Sequence, residues 1–140
     1  MNVLQFLTPK SQTNYLNAEC TVRQAVEKMD YHKFSILPLI DSSGRYVSSI
    51  SEGDLLRHVK NEHKFNMRDA ERVKVIDVAK HRPYKACLMT AETQEILQLL
   101  LNQNFVPIVD DRGMFCGIVK RKSVLEYIFE HREEISFLNA

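Results

Sequence analysis

The fold is decided by one stretch read against another. Ile36-Leu37-Pro38-Leu39-Ile40-Asp41-Ser42-Ser43-Gly44-Arg45-Tyr46-Val47 aligns without a gap, at an offset of 69 residues, with Phe105-Val106-Pro107-Ile108-Val109-Asp110-Asp111-Arg112-Gly113-Met114-Phe115-Cys116. Both copies read as an apolar strand interrupted by Pro, an Asp, a turn containing Gly, and a second strand. That order predicts a β-hairpin, because Asp and Gly supply the turn conformations. Pro inside a strand normally demotes it to an edge or a bulge. The same exception at Pro38 and Pro107 implies a purpose: a blank donor leaves a neighbouring backbone group free for a ligand.

Working outward, a helix precedes each hairpin. Val22, Ala25, Val26 and Met29 follow the i, i+3, i+4, i+7 rule, with Thr21 as N-cap. Ile96, Leu97, Leu99, Leu100 and Leu101 mark the matching helix. Further helices follow the hairpins at 54–60 and 123–131, and short strands are expected near 14–16 and 85–88. Each copy therefore reads β-α-β-β-α. The polar run 60–72 has no apolar face and reads as a helix extension plus linker. The boundaries are 1–62 for the first repeat, 63–74 for the linker and 75–140 for the second. Half a chain of 140 residues buries little core alone, so the expectation is an α/β protein of two pseudo-symmetric repeats, sheets packed together and flanked by helices.

Composition narrows the function. Nineteen Lys and Arg against 18 Asp and Glu give no global pull towards nucleic acid or an anionic membrane. Cys20, Cys87 and Cys116 form no CxxC and are odd in number, which argues against a disulfide frame or a zinc site; Cys87 and Cys116 read as small buried hydrophobes. The five histidines show no metal-ligand spacing. The stretch 1–9 lacks a basic leader and a long apolar run, so it does not read as a signal peptide, and the default compartment is the reducing cytosol. No nucleophile has an obvious base and there is no Gly-rich phosphate loop, so no enzyme is expected.

The order of elements, the Pro in the second strand and the Gly turn resemble the CBS domain. Asp41 to Leu56 is similar to the family's strand-turn-strand followed by a hydroxyl-x-x-Asp signature, here Ser51-Glu52-Gly53-Asp54. Ser48 stands where the family usually has Gly. The second copy keeps that Gly as Gly117, but has Lys120 for the hydroxyl residue and Ser123 for the Asp. The resemblance covers about Leu4 to Phe129. It implies a paired-repeat Bateman module, here reading as stand-alone, that binds an adenine nucleotide (AMP, ADP, ATP or cyclic di-AMP) in the inter-repeat cleft and signals to a partner protein.

On that reading Asp54 takes the ribose hydroxyls and Ser51 lies near a phosphate at a helix N-terminus. The plain alternative is that Ser51 and Asp54 form a capping box and nothing else. Lys120, Arg121 and Lys122, the tight basic run at the matching helix start, are candidates for phosphate; a solvated face is the alternative. Arg57 and His58 are weaker candidates. Leu16, Ile36, Leu37 and Pro38, and in the second copy Cys87, Phe105, Val106 and Pro107, are candidates to wall an adenine, with backbone near 13–16 reading its edge. Leu125, Ile128 and Phe129, at i, i+3, i+4, suit a homodimer face. The alternative function is a structural dimerisation module with a vestigial, empty pocket.

Overall fold

The computed structural model describes residues 2–62, 66–79 and 83–134. In chain order the elements are β1 (Leu7–Pro9), β2 (Leu16–Asn17), α1 (Val22–His32), β3 (Ile36–Ile40), β4 (Tyr46–Ser51), α2 (Glu52–Glu62), α3 (Met67–Ala70), α4 (Val75–Val78), β5 (Cys87–Leu88), α5 (Thr93–Leu100), β6 (Phe105–Val109), β7 (Phe115–Lys120) and α6 (Arg121–Glu130). The β-α-β-β-α order occurs twice, as expected. Two compact units result: one holds 14–84 with 111–115, the other holds the chain up to residue 13 with 85–110 and 116 onward.

In the first-repeat unit the sheet order is β2-β3-β4. β2 runs parallel to β3, with Leu16 opposite Leu39, and β3 runs antiparallel to β4, with Pro38 opposite Ser49. α1 begins at a capping box: the Thr21 hydroxyl accepts from the Gln24 amide while the Gln24 side chain accepts from the Thr21 amide. Reciprocal satisfaction of otherwise orphaned donors fixes that helix start. Helix α1 ends at Lys33, which adopts the left-handed conformation (φ 59°). Val22, Ala25 and Met29 turn one stripe inward onto Leu16, Leu37, Leu39 and Ile50, and Val75 and Val78 of α4 close the same core. In the polar run 60–72, α2 extends to Glu62 and α3 forms beyond it, capped by Asn66 onto the Asp69 amide at 2.8 Å. Residues 63–65 lie outside the described residues.

In the second-repeat unit the order is β1-β7-β6-β5. Its core joins Cys87, Ile96, Leu100, Val106, Ile108, Val119 and Val124 to Val3 and Phe6 of the N-terminal stretch. β1 is an addition that the repeat pattern does not contain. It lies antiparallel on β7, with Leu7 opposite Val119 and Pro9 opposite Gly117. This explains the Gly117/Ser48 difference. A Cβ on Gly117, whose φ is +150°, would stand 2.1 Å from the Thr8 carbonyl oxygen, so only glycine lets β1 approach. In the first copy β4 meets α4 instead, and the buried Ser48 hydroxyl donates to the Ala79 carbonyl at 3.1 Å.

Both prolines are buried at the third position of their strands. Neither strand is an edge: β3 and β6 are each flanked on both sides. The prolines fit because the flanking strands β2 and β5 are only two residues long. The missing N–H falls beyond their ends.

Candidate functional site

The β4–α2 junction builds the first-repeat site. The Ser51 backbone amide donates to Asp54 Oδ2 at 3.0 Å, and the Asp54 amide donates to Ser51 Oγ at 3.1 Å. The pair is thus a capping box. Asp54 is only 4% exposed, and its Oδ1 also accepts from Arg57 Nη2 at 2.7 Å. A carboxylate offers about four acceptor positions, so acceptor capacity is left over. Arg57 is half exposed and covers Asp54 from the solvent side.

The backbone beside Pro38 forms the second part. Ala18 N donates to the Ile40 carbonyl at 2.8 Å, which sets the phase of the β2–β3 ladder. Continued one step past β2, that ladder would need Pro38 to donate to the Asn14 carbonyl, and Pro38 has no N–H. Among the described residues no hydrogen bond engages the Asn14 amide or carbonyl. Glu52 N donates to the Ser35 carbonyl at 2.9 Å, so the facing pair Ile36–Ser51 is of the non-hydrogen-bonded kind. The Ile36 carbonyl therefore points to the same side as Asn14. Nearby, the Tyr15 carbonyl is taken by Lys28 Nζ at 2.6 Å.

Of the apolar candidates in this copy, Leu16, Leu37 and Pro38 are buried, while Ile36 is half-buried and presents part of its side chain. In the second copy Phe105, Val106, Pro107 and Cys87 are all buried. Burial and its Glu95 neighbour push the Cys87 thiol up to about 11.

Within the basic run, Arg121 and Lys122 line one groove beside α6, and Lys120 is not part of that lining. Consecutive helical residues point about 100° apart. Lys120 is exposed and serves as the N-cap of α6 with no side-chain cap bond. Arg121 turns back, its Nε donating to the Leu100 carbonyl at 2.8 Å. Lys122 is exposed with Nζ 4.0 Å from Glu126. Ser123 lines a cleft of about 340 Å³ with residues of the β1 region, among them Phe6 and Thr8. His58 lies on α2 one residue beyond Arg57.

Inspection of the sequence alone missed Gln103. It is a buried polar side chain (7% exposed) whose amide bonds three backbone groups: Lys85 N to Oε1 at 2.8 Å, and Nε2 to the carbonyls of Lys85 and Phe105 at 3.1 Å each. The available signal was the 69-residue alignment, which sets Gln103 on Phe34. Phe34 packs against the first-repeat core.

These features define the class. The CBS domain family profile matches residues 9–61 and 75–130, and the chain belongs to that family. Its fold is similar to that of CbpB, solved in complex with c-di-AMP (TM-score 0.85, 18% identity, 97% of this chain and 89% of that one). It is similar also to CBSX2, solved in complex with AMP (TM-score 0.74, 24% identity, 94% and 98%). A curated relative, homoserine O-acetyltransferase of Methanohalophilus mahii, is 25% identical over 109 residues, 78% of this chain. The chain spans 21% of that protein's length and 63% of another curated relative's. Among the described residues no helix is long and apolar enough to cross a membrane, and no group of His, Cys, Asp or Glu is arranged to hold a metal ion.

Proposed function

We propose that this chain is a regulatory module that binds an adenine nucleotide (AMP, ADP, ATP or c-di-AMP) through its first repeat and relays occupancy to a partner protein without catalysing a reaction. The buried Asp54 carboxylate carries this reading. Burying a carboxylate costs several kcal/mol before its partners compensate. A helix start does not need it: α6 begins at the equivalent place with no side-chain cap at all and reaches ten residues. Asp54 is therefore held for a second purpose. Its unused acceptor positions suit the two hydroxyls of a ribose, with Ser51 at the phosphate side and Arg57 sharing Oδ1 or moving to the phosphate. Ile36 and Pro38 supply an apolar wall for the base. The solved relatives with c-di-AMP and AMP support an adenine nucleotide as the ligand class.

The same reading makes the molecule a cytosolic homodimer. Leu125 (56% exposed) and Phe129 (68% exposed) lie on one face of α6 with the half-buried Ile128, lining a groove of about 930 Å³. A second copy is the occupant that a self-complementary apolar stripe favours. The function is tested by thermal denaturation with adenine and guanine nucleotides. A ligand at one hundred times its dissociation constant stabilises by about 2.7 kcal/mol, a plain upward shift. If no nucleotide moves the transition, the dimerisation module with an empty pocket is the better account.

A further inference from the structure

The Gln103 side chain bridges a gap beside the β5–β6 ladder. Met89 N donates to the Val109 carbonyl at 3.0 Å, which gives the β5–β6 ladder the same phase as the β2–β3 ladder. One step further, Lys85 would donate to the Phe105 carbonyl and accept from residue 107, but residue 107 is Pro. The strands separate there and the Gln103 carboxamide is inserted. Its oxygen accepts from Lys85 N–H, and its NH₂ spends both protons, on the Lys85 and Phe105 carbonyls.

An acceptor beside an NH₂ with two protons is also the edge that adenine presents, as N1 beside the 6-amino group. Guanine presents the reverse, a carbonyl oxygen beside an N–H donor. In the first copy the equivalent three groups are Asn14 N–H, Asn14 C=O and Ile36 C=O. Phe34, whose side chain cannot hydrogen-bond, is the residue aligned with Gln103. We propose that Gln103 is a resident substitute for the base: it fills the second repeat's base-reading edge, and leaves the first repeat's edge, Asn14 and Ile36, as the place where an adenine is read. The inference rests on the proposed nucleotide binding and adds which repeat reads the base, by which atoms, and what keeps the other closed.

The test is amide-resolved NMR of the unmodified chain titrated with AMP and, separately, with c-di-AMP, GMP serving as comparison. The Asn14 amide is expected to shift with the adenine ligands, while the Lys85 amide stays with the bulk of unaffected amides. A Phe34→Gln variant, checked for folding by circular dichroism, puts the carboxamide into the first repeat and is expected to lose at least tenfold in affinity, whereas Phe34→Leu retains the parent affinity. A Lys85 amide that shifts as far as Asn14, or a folded Phe34→Gln that binds like the parent, overturns the inference while leaving nucleotide binding intact. If neither adenine ligand moves any amide of the parent, nucleotide binding itself falls and the inference falls with it.

Discussion

Replacing Asp54 by Ala separates the two roles that the β4–α2 junction combines. The substitution deletes the acceptor of the Ser51 amide and the partner of Arg57, but leaves the Asp54 backbone bond to Ser51 Oγ in place. Loss of the cap costs about 1 kcal/mol of stability. The ion pair adds only a few tenths, because the Arg57 side is half exposed. Ligand binding loses more: removing a charged acceptor from two ribose hydroxyls costs roughly 1.5–3 kcal/mol, or about ten- to a hundredfold in affinity. Asp54→Asn keeps an oxygen for the Ser51 amide and loses the charge, so it is expected to approach parent stability yet still bind weakly. Titration calorimetry with adenine nucleotides, run alongside urea unfolding of all three proteins, reads both quantities. Two variants that bind like the parent would show that Asp54 is a cap and no more.

Three further outcomes are expected. Gly117→Ala forces the Thr8 carbonyl away from a new Cβ at a strained φ and is expected to destabilise by at least about 2 kcal/mol, read as a lower urea midpoint; a change within about 0.5 kcal/mol refutes the β1 pairing. Leu125→Glu is expected to turn a dimer into a monomer by light scattering at high micromolar concentration; a parent that is already monomeric refutes the face assignment. With its thiol pushed up to about 11 and buried, Cys87 has a thiolate fraction of about one in a thousand at pH 8, so among the three cysteines it is expected to be the last alkylated; labelling as fast as Cys116 contradicts this.

Much of this was legible because the repeat prints the same local chemistry twice. The hairpins, Thr21 as N-cap, and the apolar stripe of α1 all follow from neighbouring residues. What escaped depends on partners distant in sequence or on direction. Leu7-Thr8-Pro9 has no strand pattern; β7 makes it a strand from about a hundred residues away. Val75 to Val78 is too short to show a helical period, and its packing against β4, α1 and α2 makes it part of the core. Lys120 to Lys122 look like one patch in a string of letters, but Lys120 ends β7 as the N-cap of α6, Arg121 is drawn to the end of α5 and Lys122 lies toward Glu126. Gln103 is an ordinary polar residue after a helix until Pro107 is seen to leave Lys85 without a partner.

The Gly117/Ser48 difference also bears on how a chain made of two near copies avoids misassembly. β1 leaves the ribosome first, and at roughly 5–20 residues per second its partner β7 follows several seconds later. During that interval the β3–β4 hairpin is already available as a decoy. Ser48 carries a Cβ at the position where β1 needs none, and it is buried with its hydroxyl bonded to the Ala79 carbonyl. That packing is expected to disfavour β1 at the first hairpin before β7 has been made.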